Sequence, residues 1–175
     1  MATARTQISF ATLESPVGTL LAGVTNDALC FLEFSDPERV ELQTGRLRNR
    51  LRAEVVSSRH PLLDTLTQQL DDYFAGKRRT FDVPLAYPGT DFQQRVWSAL
   101  LEIPYGQTCS YLTLAKRVGS PDAVRAVGQA NGMNPIAIVI PCHRVINSSG
   151  ALGGYGGGLP RKQHLLNLER GDVLF

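Results

Sequence analysis
Two hydrophobic periods divide the chain. Ile8 to Leu13, Thr19 to Thr25 and Ala28 to Phe34 are short runs rich in β-branched and aromatic residues, separated by Ser15-Pro16-Val17-Gly18 and by Asn26-Asp27. Apolar runs of this length between turn residues predict strands, and tight turns predict an antiparallel three-stranded meander. Asp36-Pro37 then opens a helix, with a capping residue followed by proline in the first turn, and it extends toward Arg52 across Gly45. Leu62, Leu63, Leu66, Leu70, Tyr73 and Phe74 recur at helical spacing and Gly76 ends that element. Residues 1–76 thus predict a small sheet-and-helix domain with a structural job. Residues 77–90, preceded by Gly76 and containing two prolines, Gly89 and Lys77-Arg78-Arg79, predict a connection.

From residue 91 the helical period dominates. Thr90 and Gln93 fit a capping box ahead of Phe92, Val96, Trp97, Leu100 and Ile103, and Pro104-Tyr105-Gly106 closes the helix. Ser110 caps a short helix from Tyr111 to Val118, Gly119 closes it, and Ser120-Pro121 begins another that reaches Asn131. Two short helices across a tight turn predict a helix-turn-helix, an arrangement also found in proteins that never meet DNA. Ile136 to Ile140 is a continuous apolar run that predicts a buried strand, stopped by Pro141. Beyond it lie Cys142-His143-Arg144, a loop from Ser148 to Gly158 with six glycines in its last nine residues, and a helix from Pro160 to Arg170.

Composition narrows the classes. The 175 residues are 43% hydrophobic with a net charge of +2, as in ordinary globular chains. No apolar run approaches a membrane span, and the first residues lack the apolar block of a secretory signal, so a cytoplasmic protein is expected. Three scattered cysteines and three histidines, without CxxC spacing, argue against a disulfide framework and a metal centre. Residues 1–90 carry 10 basic against 11 acidic side chains, and residues 91–175 carry 8 against 5. Phosphate contacts should therefore come from the second half and from a few placed residues.

The chemistry concentrates at Cys142-His143. A thiol beside an imidazole is a candidate nucleophile and base, while a lone buried cysteine is equally an inert small hydrophobe. The surrounding text resembles the O6-alkylguanine-DNA alkyltransferases, the methylated-DNA–protein-cysteine methyltransferases. The matching segments are FQQRVWSALLEIPYGQTCSY, RAVGQANGMNP, IPCHRV and GYGGGLPRKQHLLNLE, in order through residues 91–175, while the first half matches only in plan. The resemblance implies an α+β chain, with a ribonuclease H-like first domain and a mostly helical, winged-helix-like domain over 91–175.

It also implies direct, single-turnover repair of duplex DNA. The alkylated guanine is flipped out, and Cys142 takes the alkyl group from O6 irreversibly; O4-alkylthymine is a second candidate substrate. By resemblance His143 acts as base through a water, Glu169 orients it, and Tyr111 hydrogen-bonds the flipped base at N3. The backbone of Tyr155-Gly156 faces O6, the carbonyls of Cys142 and Val145 receive the exocyclic amine, and Ser110 belongs to the DNA-contacting set. Many relatives carry serine at the place of Gly156, which keeps the amide here and loses a hydroxyl. Arg125 matches the finger that fills the gap in the stack, beside the small Ala126, Gly128 and Ala130, on a helix used in the minor groove. Asn134 ties that helix to the active-site strand. No metal, no cofactor and no membrane are implied. The expected partner is DNA carrying alkylated guanine, met by a monomer that could assemble cooperatively along it and associate with the nucleoid. A cysteine hydrolase built on Cys142, His143 and Glu169 and a non-catalytic sensor of damaged DNA are the alternatives.

Overall fold
The computed structural model describes residues 6–56 and 59–172, which divide between Pro88 and Gly89 into two compact units. The first is a sheet with order β3-β2-β1-β4, from β1 (Gln7–Leu13), β2 (Leu20–Val24), β3 (Leu29–Phe34) and β4 (Glu54–Val56). The predicted meander is present: β1 pairs antiparallel with β2, and β2 with β3. The fourth strand is a correction to the three expected. It runs parallel to β1 through Gln7↔Glu54, Ile8↔Val55 and Ser9↔Val56, and three residues are too few for an alternating pattern to register.

Helix α1 (Pro37–Leu51) joins β3 to β4 and passes through Gly45 without a break. Glycine inside a helix costs about 1 kcal/mol relative to alanine, which the packing of Leu47 with Ile8, Cys30 and Phe31 offsets. Asp36 holds the N-cap position without making the capping bond. Helix α2 (Pro61–Phe74) is capped by His60, whose Nδ1 accepts the Leu62 amide at 3.1 Å while Nε2 lies 3.1 Å from the Asn26 carbonyl.

The expected connection at 77–90 is mostly part of this unit. The Leu29 amide donates to the Pro84 carbonyl at 2.8 Å and the Ala86 amide to the Leu29 carbonyl at 2.9 Å. Those bonds cover the outer edge of β3, whose six residues are all buried.

The second unit is helical. Helix α3 (Asp91–Leu101) starts with the predicted capping box, both reciprocal bonds of Thr90 and Gln93 being formed. Trp97 on α3 donates its indole N–H to the Ala130 carbonyl at 2.9 Å, fixing α3 to the helix that carries Ala130. A two-residue strand β5 (Cys109–Ser110) leads into α4 (Tyr111–Arg117), and α5 (Val124–Gly132) completes the helix-turn-helix. Ser110 caps α4 as expected. Helix α5 begins four residues later than Ser120 because residues 120–123 close a turn, the Ala123 amide donating to the Ser120 carbonyl at 2.9 Å.

The largest correction concerns Ile136 to Ile140. The run is fully buried, as predicted, but it is a chain of turns rather than a strand. The Val139 amide donates to Ala137 O at 2.8 Å, Ile140 to Ile136 O at 3.0 Å, and Cys142 to Ile140 O at 2.8 Å. Ile138 takes φ 72°, a left-handed conformation that costs such a residue on the order of 1–3 kcal/mol. Asn134 supports the run from inside: its Nδ2 donates to Ile140 O at 2.7 Å and its Oδ1 accepts the Ile136 amide at 3.0 Å. Apart from a single bridge at Ile136, the run is held by burial, by these turn bonds and by Asn134 rather than by a ladder with a neighbouring strand.

Candidate active site
The turns deliver Cys142, His143 and Arg144 as one turn of 3-10 helix, followed by β6 (Val145–Ile146). Strand β6 pairs in parallel with β5 through Cys109↔Val145 and Ser110↔Ile146, bringing the start of α4, and with it Tyr111, alongside the Cys142 segment. Helix α6 (Leu159–Arg170) supplies Glu169. Cys142, His143 and Glu169 are all buried.

His143 Nε2 lies 2.7 Å from Glu169 Oε1. With the proton on Nε2 donated to the carboxylate, Nδ1 is left as the basic nitrogen. That Nδ1 is buried and has no hydrogen-bond partner among the described residues. Burial depresses the imidazole pKa, and the Glu169 hydrogen bond works against that depression. The histidine is therefore neutral at physiological pH, the form in which it can accept a proton. Glu169 also receives Arg144 Nε at 2.8 Å and Nη2 at 2.9 Å, and the Gly106 amide at 3.1 Å. Burial alone would raise its pKa, but His143 and Arg144 outweigh burial and hold the carboxyl well below the usual range.

Arg144 and Lys162 complete the site, and sequence reasoning gave neither a role. Arg144 grips Glu169 bidentately, donates Nη1 to the Ile103 carbonyl at 2.6 Å, and lies 5.8 Å from the Tyr105 ring centre. Lys162 is fully buried and its ammonium meets three carbonyls: Val145 at 2.6 Å, Leu152, and Gly154 at 3.1 Å. Three donors find three acceptors, so the charge is hydrogen-bonded throughout. Burial pulls its pKa down to about 8, against an opposing pull from Cys142. The signal for both lay in periodicity. Lys162, Leu165, Leu166 and Glu169 share one face of α6, so two ionisable side chains occupy positions where the pattern calls for apolar ones.

The glycine loop closes over Tyr111. The phenol donates to Gly154 O at 3.4 Å, and Lys162 Nζ stands 5.9 Å from the ring centre. Burial, and then the nearby Cys142, raise the Tyr111 pKa, while Asn131 lowers it. Gly153 has φ 70°, and a Cβ there would sit 2.9 Å from Asn147 Oδ1 and 3.1 Å from the Tyr111 ring. The flat approach expected of the loop is thus required at this glycine. Tyr155 and Gly156 lie on the same loop, Gly156 exposed and Tyr155 half-buried, with Tyr155 O accepting the Gly158 amide at 3.0 Å.

The remaining predicted residues separate into two sets. Arg125 and Ala126 are exposed on the first turn of α5, away from its buried side of Val127, Ala130 and Asn131. Asn134 holds the turns before Cys142, and Ser110 serves the α4 cap. It is Asn131 that reaches the nucleophile's backbone, Nδ2 donating to Cys142 O at 3.4 Å. The two carbonyls expected to read guanine are already engaged, that of Cys142 by the Val145 amide and Asn131 Nδ2 and that of Val145 by Lys162. The Val145 carbonyl has a second lone pair to offer.

No group of three or more potential metal ligands occurs among the described residues. A buried thiol, a neutral base fixed by a carboxylate and a buried cation can together perform a displacement in which a leaving group departs as an anion.

Comparison with known proteins agrees over both units. Residues 8–87 match the ribonuclease-like domain, and residues 91–171 the DNA-binding domain, of 6-O-methylguanine DNA methyltransferase. The chain is 49% identical over 163 residues to the methylated-DNA–protein-cysteine methyltransferase of Mycobacterium leprae, covering 93% of this chain and 92% of that protein. It is 45% identical to the constitutive enzyme of Bacillus subtilis, covering 92% and 94%. Among solved structures, Mycobacterium tuberculosis OGT in complex with DNA superposes with a TM-score of 0.79 at 43% identity, over 96% of this chain and 95% of that one. With its fold, its PCHRV turn and both of its units accounted for in this way, the chain belongs to the methylated-DNA–protein-cysteine methyltransferase family.

Proposed function
We infer that this protein repairs alkylated DNA directly, moving the alkyl group from O6 of guanine to Cys142 once per molecule. The observation that carries the reading is the buried His143–Glu169 pair at 2.7 Å beside Cys142, in the unit that contains the helix-turn-helix. The Cys142 proton passes through a water to His143 Nδ1, and the resulting thiolate attacks the alkyl carbon. As the S–C bond forms, the C–O6 bond breaks and its electron pair stays with the base. Tyr111 supplies a proton at N3 to the departing guanine, and the Tyr155-Gly156 backbone stabilises charge at O6. The carbonyls of Cys142 and Val145 receive the exocyclic amine and so select guanine.

The DNA partner is met by α5 through its minor groove, where readout is degenerate. That suits a protein that must act in any sequence. Extruding a base costs a few kcal/mol, and the exposed Arg125 fills the gap, with Ala126 and Ser110 against the backbone. The protein works as a monomer in the cytoplasm on nucleoid DNA, and binding along a duplex is open to cooperativity. Intact-protein mass spectrometry with excess duplex containing one O6-methylguanine tests the reading. One methyl adduct per protein, mapped to Cys142 and lost in Cys142→Ala with DNA binding retained, is expected. Transfer that survives Cys142→Ala overturns the nucleophile. Bound but unmodified wild-type protein makes it a sensor, and turnover of ester substrates makes it a hydrolase.

A further inference from the structure
Asn131 is placed where neither the relay nor the finger explains it. It lies on α5, six residues after Arg125, and is 4% exposed. Its Nδ2 donates to the carbonyl of Cys142 at 3.4 Å, its Oδ1 is buried with no partner among the described residues, and the Tyr111 phenol is its neighbour. A buried acceptor without a donor is destabilising, whereas an apolar side chain of the same size would avoid that penalty. Stability therefore does not account for an amide here. Its surroundings do: the two groups beside it are the carbonyl that would read the guanine amine and the phenol that would protonate the base.

We propose that Asn131 is a positioning residue for alkyl transfer, its amide holding the Cys142 carbonyl and the Tyr111 phenol in register from the DNA-facing helix. Two consequences follow. The N–H bond to Cys142 O, beside the Val145 amide that donates to the same oxygen, restrains the backbone that carries the nucleophile and so fixes where its thiol stands. A hydrogen-bond donor beside the phenol oxygen also stabilises the tyrosinate left after proton transfer, making Tyr111 a better acid toward N3. This direction agrees with the lowering of the Tyr111 pKa by Asn131, against burial and Cys142, which both raise it. The amide sits on the same helix as Arg125, so insertion of α5 into DNA and alignment of the reacting groups are mechanically one event.

The inference rests on the alkyl-transfer reading, and its test separates the two. Single-turnover transfer is measured against DNA concentration and pH for the wild type, Asn131→Leu and Asn131→Asp, together with thermal melting. Wild-type protein that fails to alkylate Cys142 refutes the function itself. If it reacts, Asn131→Leu is expected to melt at or above the wild-type temperature, yet to transfer about tenfold more slowly at saturating DNA, the size of one hydrogen bond lost from a transition state. Half-saturation should be unchanged. Asn131→Asp should be slow at neutral pH and recover as the pH falls, because a protonated carboxyl regains a donor. Wild-type rates in both variants, or slowing that only tracks a lower melting temperature, overturn the proposal.

Discussion

Replacing Glu169 by glutamine keeps the shape of the site and removes its charge. Four bonds converge on that carboxylate: His143 Nε2 at 2.7 Å, Arg144 Nε and Nη2 at 2.8 and 2.9 Å, and the Gly106 amide at 3.1 Å. All four are donors, two on each oxygen, so the glutamine NH2 must face two of them, and Arg144 is left as a buried cation without its counter-ion. Breaking one side of a buried pair costs about 3–5 kcal/mol, a large share of a total stability of roughly 5–15 kcal/mol. The pH dependence fixes the sign. Because the folded Glu169 pKa is depressed, its stabilisation is full above the unfolded value of about 4.3 and fades as pH falls through the folded one. The gap between wild type and Glu169→Gln in urea should thus be widest near neutrality and narrow below about pH 4. His143 meanwhile loses the acceptor that fixes its tautomer, so single-turnover transfer should fall by about 10²-fold, the low end for general-base catalysis. A variant that unfolds at the wild-type urea concentration and transfers at the wild-type rate would show that the carboxylate neither anchors Arg144 nor orients the base.

Three further changes probe the cation, the finger and the loop. Lys162→Met leaves the carbonyls of Val145, Leu152 and Gly154 without their shared donor, so amide exchange in residues 152–158 should accelerate and transfer should slow. With the lysine pKa at about 8, wild-type transfer should also decline as pH rises through that value, a limb absent in Lys162→Met. The stability sign is opposite, since the folded state binds fewer protons than the unfolded one between about 8 and 10.4 and so gains stability across that window. Arg125→Ala should slow reaction with duplex far more than reaction with a free modified guanine, and equal losses on both would remove the finger role. Gly153→Ala forces a side chain into φ 70° and against Asn147 and Tyr111; melting should report a loss of about 1–2 kcal/mol, and a wild-type melt would mean that the loop does not lie flat.

What the sequence disclosed depends on how local the determining physics is. The capping box at Thr90 and Gln93, the α4 cap at Ser110 and the tight turns of the meander are decided within a few residues, and each formed as read. Strand β4 and the packing of residues 84–86 on β3 depend on partners more than twenty residues away, and no local pattern announces them. Ile136 to Ile140 misled for a different reason. Its apolar character correctly signalled burial, but burial does not specify pairing, and the run folds into turns whose two ends Asn134 ties together through the Ile136 amide and the Ile140 carbonyl.

The site divides along the same line. His143 meets Glu169 at 2.7 Å on the same turn that carries Cys142, a pairing across 26 residues that the motif suggested and no local pattern would. Arg144 and Lys162 stood in plain view, yet a charged residue inside an apolar pattern is easily taken for a solvated one. On α6 the face formed by Lys162, Leu165, Leu166 and Glu169 is buried at every position. Since an ionisable group is rarely fully buried unless paired, two of them on the core-facing stripe of one helix predict partners before any coordinates are available. The partners are the Cys142–Val145 turn and the glycine loop: Glu169 binds His143 and Arg144, and Lys162 binds Val145, Leu152 and Gly154. The last helix thus holds the nucleophile's turn through one residue and the loop expected to face O6 through another, so an insertion of a single residue between Lys162 and Glu169 should disable transfer while leaving the helix-turn-helix able to bind DNA.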